Sequence, residues 1–216
     1  MISTKDLTAL LSIDKLKRLT QSIAMLDAII QQDWEYRYYA FNSKWSAGEQ
    51  MASMRNGQGD GWFCTFGPPG AFLKGFDHES VMSPWNTNPS RVWPGVLDGV
   101  PEVFRASVAE PAFSMKDTTF CIWRTHLDSQ WRTGNISYPA AEDPDGSARM
   151  LSILDGNPNT YKEWAEAYYE QSVSLPPVLH IYEHKVLTSE IVSELNPSVE
   201  FKSILGDATE IDYPIG

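Results

Sequence analysis

Met51-Ala52-Ser53-Met54-Arg55, Asn56-Gly57-Gln58-Gly59-Asp60-Gly61 and Trp62-Phe63-Cys64-Thr65-Phe66 together spell a hairpin. The glycines and Asn56 supply the positive φ values that a tight reversal demands. Working outward, Gly67-Pro68-Pro69-Gly70 makes a second turn, followed by a short strand over 71–76. Thr118-Thr119-Phe120-Cys121-Ile122-Trp123-Arg124-Thr125 is the strongest strand signal in the chain, and 130–132 is expected to return antiparallel to it. Upstream, the aromatic run 34–41 reads as a strand with Trp34, Tyr36 and Tyr38 on one face.

Helical spacing brackets this middle. Leu7, Leu10 and Leu11, then Leu16, Leu19, Ile23, Leu26, Ile29 and Ile30, predict one short and one long helix, interrupted at Ser12-Ile13-Asp14. Further helices are expected over 100–109, with Pro101 in the first turn, and over 147–154, 161–171 and 188–195. Thr188 caps the last of these and Asn196-Pro197 stops it. A strand is expected at 178–182, after Pro176-Pro177, while 78–98 and 138–146 read as loops. Central strands with helices at both ends, and no regular βαβ alternation, predict an α+β fold with a largely antiparallel sheet. The chain reads as a single domain, 1–216, with a helical segment 4–31, a strand-rich middle 34–133 and an acidic helical part 140–216.

The charge is lopsided. Residues 1–139 carry 13 basic and 14 acidic side chains, whereas 140–216 set only Arg149, Lys162, Lys185 and Lys202 against 14 acids. Such a field attracts basic partners and repels nucleic acid and anionic membranes. A hydrophobic content of 42% and aromatic content of 12% suffice for a packed core. No stretch approaches the roughly 18 apolar residues that span a bilayer, and the N-terminal residues lack a signal-peptide layout. Cys64 and Cys121 are too few for a disulfide framework and lack metal-ligand spacing, so a reduced, cytoplasmic protein is expected.

Motifs with chemistry are sparse. Gly57, Gly59 and Gly61 depart from a dinucleotide fingerprint, because Trp62 occupies the place of its next glycine and a strand follows. Gly75 is followed by Phe76-Asp77, which is no Walker loop. His180-Ile181-Tyr182-Glu183-His184 matches an inverted zinc-peptidase pattern, but that chemistry needs a helix where a strand is expected, and a third ligand is not evident. Cys64 and Cys121 sit among core-like neighbours, where thiols are inert. Asp77-His78-Glu79 is the most polar cluster beside the aromatic loop: His78, with Asp77 or Glu79, is the candidate acid–base group, under a loop spanning 67–94. Neither a cofactor nor a metal is expected. Arg55, Lys74, Arg91, Arg105, Arg124 and Arg132 are scattered among aromatics, and stacking within the fold explains them better than nucleic-acid binding. Trp45, Trp85 and Trp93 either pack down or present anchors to a partner.

The runs Met54-Arg55-Asn56-Gly57, Gly75-Phe76-Asp77-His78-Glu79-Ser80 and Trp93-Pro94-Gly95-Val96-Leu97-Asp98-Gly99-Val100-Pro101 resemble uncharacterised conserved proteins of bacteria, some of which belong to toxin–immunity repertoires. The likeness covers the middle third of the chain and carries no catalytic residues. It implies a binding protein that neutralises a basic, toxin-like protein. Glu190, Glu194, Glu200, Asp207, Glu210 and Asp212, with Trp85 and Trp93, are the candidate partner-binding residues; solubility alone would also explain the acids. The other class is a small hydrolase or ligand-binding domain using His78, Asp77 and Glu79.

Overall fold

Ile13–Ile30 forms a single helix, α1, in the computed structural model, which describes residues 1–216. The short helix expected before it does not form. Thr8 donates its N–H and its hydroxyl to Asp6 Oδ1 at 3.0 and 2.6 Å, and Ser3 and Asp6 exchange backbone bonds. A short polar side chain there competes with helical bonding.

Six antiparallel strands follow as a meander, each beside the next: β1 (Tyr39–Ser46), β2 (Glu49–Arg55), β3 (Gly61–Gly67), β4 (Gly70–Phe76), β5 (Phe120–Thr125) and β6 (Arg132–Thr133). The expected hairpin and its neighbours thus stand. The strand expected from residue 34 starts only at Tyr39, because Asp33 caps a 3₁₀ turn over Trp34–Tyr36 by accepting from Glu35 N. Trp34 and Tyr36 consequently lie exposed rather than on a strand face.

Strand register gives the sheet two different faces. Phe41, Ala52, Cys64, Leu73 and Ile122 line up across five strands and pack into the main core with α1. The adjacent row, Ala40, Ser53, Phe63, Lys74 and Cys121, points the other way. The connection between β4 and β5 covers that second face, where Phe72, Met82, Val96, Phe104, Cys121 and Trp123 form a smaller cluster. The helix expected over 100–109 is split there: Pro101 precedes a 3₁₀ turn, Glu102–Phe104, which leads into α2 (Arg105–Ala109).

The C-terminal third is helical: α3 (Ser147–Leu151), α4 (Pro158–Tyr169), α5 (Leu175–Tyr182), α6 (Ser189–Leu195) and α7 (Phe201–Ile211). One expectation fails here and one helix has no counterpart in the sequence reading. Residues 178–182 are helix, not strand, because Pro176 and Pro177 occupy the first turn, where a missing N–H costs nothing. α7 was not expected, yet Ile204, Ala208 and Ile211 are buried, and Gln21 on α1 donates to the Ile211 carbonyl at 2.9 Å. α1 therefore lies between the sheet and α5–α7, which explains why every residue of Thr20–Ile30 is buried. Forty buried residues form one continuous cluster spanning both ends of the chain. The fold is a single α+β domain, and no helix is long and apolar enough to cross a membrane.

Candidate functional site

One end of the meander gathers the polar residues singled out in the sequence. Asp60 opens β3 and Asp77 follows β4, so the hairpin places the two carboxylates side by side. Asp60 Oδ1 accepts from His78 N at 2.9 Å and lies 2.6 Å from His78 Nδ1. Its other oxygen accepts from Asn56 Nδ2 at 2.8 Å and from Arg149 Nη2 at 3.2 Å. The same Arg149 nitrogen donates to Asp77 Oδ2 at 2.8 Å. Gly146 makes this approach possible: its φ is +78°, and a Cβ there would lie 2.2 Å from Asp77 Oδ2.

Asp77 and His78 thus do come together, with Asp60 and Arg149 as partners that the sequence pattern did not reveal. Glu79 stays exposed and joins only by its backbone N–H, which donates to Asp77 Oδ1. The bond to Asp60 holds His78 above the usual imidazole pKa. Burial pushes Asp60 upward, but donation from His78 and Arg149 outweighs it and keeps the carboxyl below its ordinary range. With Nδ1 engaged, Nε2 is the free ring nitrogen and can exchange a proton. Asp60, Asp77 and His78 bring ligand atoms within 4.8 Å of one another, yet the Arg149 guanidinium already pairs with both carboxylates, and protonated His78 supplies the second positive charge. The set is a satisfied ion-pair cluster rather than a cation trap.

Beside it lies a cavity of about 380 Å³, lined by Phe63, Lys74, Phe76, Trp85, Phe113 and Asp117, with Asp60 at its edge. Trp85 is half exposed, packs edge-on against Phe76 at 4.8 Å and donates Nε1–H to Asp117 Oδ1 at 2.9 Å. Trp93 is packed into the smaller core cluster and donates to the Ser137 carbonyl. Trp45 stacks on Phe113 and Arg55 on Trp34, both within the fold. Lys74, which the sequence places only among the basic residues that stack within the fold, is the lining residue whose burial sequence reasoning missed. A signal existed, since period two puts it on one face with Phe72 and Phe76, an inward place for a lysine.

A second unforeseen group is Asp27, fully buried on α1. It accepts from Tyr38 N and Tyr39 N at 2.9 and 2.8 Å and from the hydroxyls of Tyr161 and Tyr169 at 2.7 and 2.9 Å. These bonds join α1, β1 and α4.

The remaining candidates separate. Cys64 and Cys121 are buried, and burial pushes both thiols far up. His180 and His184 do not converge: His180 Nε2 meets the Val186 carbonyl, and His184 Nδ1 lies 3.4 Å from Ser22 Oγ. Glu190 and Glu194 are exposed four residues apart on α6; Glu200 precedes α7, while Glu210 and Asp212 stand at its far end. Asp207 is occupied by a two-pronged pair with the buried Arg37, at 2.5 and 3.1 Å. Comparison with protein-family models, curated proteins and solved structures finds no match to this chain.

Proposed function

We propose that this chain is a protein-binding module whose acidic C-terminal helices engage a basic protein partner, of the kind an immunity protein neutralises. One observation carries the reading. Besides the Arg149 pairs with Asp60 and Asp77, the ion pairs of the helical layer are Arg37–Asp207, Lys162–Glu166 and Lys185–Glu183, and the exposed carboxylates of Glu190, Glu194, Glu200, Glu210 and Asp212 enter none. Two of them gain nothing from the fold. Glu210 lies in the last turn of α7 and Asp212 caps it in left-handed conformation, where the negative end of the helix dipole opposes an acid by about 0.3–1 kcal/mol. Carboxylates held free against that opposition are available to lysines and arginines of a partner, speeding encounter and excluding acidic competitors.

The test is to capture basic proteins from a lysate on the immobilised native chain and to follow association of the captured protein by stopped flow; capture of none would overturn the reading. E190K/E194K/E200K should slow association by about tenfold at low ionic strength, and salt should shrink the difference. An unchanged rate would sink the reading.

A further inference from the structure

We propose that the cavity between β3, β4 and residues 112–117 binds a small planar molecule bearing one carboxylate, with Lys74 as its charge partner. This site is independent of the acidic helices. Lys74 is 3% exposed, in the row between Phe63 and Cys121. Its ammonium donates to the Asp117 carbonyl at 2.5 Å, and no ion pair includes it. An ammonium carries three N–H donors, so two remain without a protein acceptor beside an accessible cavity. A buried cation without a hydrogen-bonded carboxylate is costly: burial pushes Lys74 down to about 8, still charged at neutral pH, and the Asp117 carboxylate and the Phe76 face, 5.8 Å away, offset it only in part. An apolar side chain would serve the fold better at this place.

The rest of the cavity describes the ligand. Phe63 stacks on Phe113 with centroids 4.9 Å apart, and Phe76 meets Trp85 at 4.8 Å, which gives flat apolar walls on two sides. Asp117 organises both parts: its carbonyl holds Lys74 and its carboxylate holds the Trp85 indole. A volume of about 380 Å³ suits one or two fused rings. Arg55, Asp60 and Asp117 also line the space, so its acids balance its cations, and a doubly charged phosphate gains less there than a monoanion with an apolar body to set against the rings.

Isothermal titration and ligand-observed NMR on the full chain test this with benzoate and indole-3-acetate, against methyl benzoate and inorganic phosphate. The two carboxylates should bind with sub-millimolar Kd, and the ester and phosphate should not. K74M, which keeps the stem and removes the charge, should weaken binding by about tenfold or more while leaving Tm unchanged or raised. W85A should weaken it also, whereas E190K/E194K/E200K should leave it intact. K74Q, which keeps a polar end, covers the case in which K74M fails to fold. Absence of saturation with both carboxylates, or equal affinity in K74M or K74Q, overturns the proposal.

Discussion

Asp27 shows how one side chain can oppose and serve a fold together. Its carboxyl is fully buried, and burial pushes it up to about 6 although four hydrogen bonds favour the ionised form. A raised carboxyl means that the folded chain takes up a proton the unfolded chain has already lost. The resulting stability is fully present below the unfolded value near 4 and is lost as pH rises through about 6. In D27N the amide Nδ2 would face donors with nothing to offer them, costing about 1–3 kcal/mol. Urea unfolding of both proteins should show the gap widening as pH falls from neutral towards 4; a narrowing gap would mean that the donors, not burial, control this group. Little of this is legible in the sequence, where Asp27 looks like a polar interruption in an amphipathic helix. Only burial of the second half of α1, Thr20–Ile30, on all sides gives it a different meaning.

At the scale of elements, turn chemistry was readable and packing was not. The reversal at Asn56–Gly61 and the strands beside it follow from a few adjacent residues, and Thr188 caps α6 by accepting from Ile191 N. Val178-Leu179-His180-Ile181-Tyr182 is β-prone by composition, yet its N-terminal prolines and the packing of α5 on α1 and α4 make it helix. Gly75 illustrates a limit of another kind. It lies opposite Phe120, whose ring would be 2.0 Å from an added Cβ, so the glycine makes room for an aromatic on the next strand. G75A should destabilise by about 1–3 kcal/mol, and G75A/F120L should recover part of the loss in chemical denaturation. Strict additivity of the two changes would remove the steric explanation.

For the whole molecule, the acidic third is not a separate unit. Its helices cover α1, and Thr4 binds Asp145 and Ser147 from the opposite end of the chain. Fragment 1–139 should therefore lack a cooperative thermal transition and a dispersed amide spectrum, because it would expose the helix-facing side of α1. A folded fragment would show that the sheet and α1 form a core of their own. The α+β class, the central hairpin and the segregation of charge follow from the sequence alone, since periodicity, turn residues and net charge act locally or by simple addition. Tertiary structure decided the rest: that Arg149 meets Asp60 and Asp77, that Asp207 is spent on Arg37, and that Lys74 is buried beside a cavity without a directly paired carboxylate. Burial and charge pairing depend on groups far apart in the chain, which only the packed sheet and helices bring into contact.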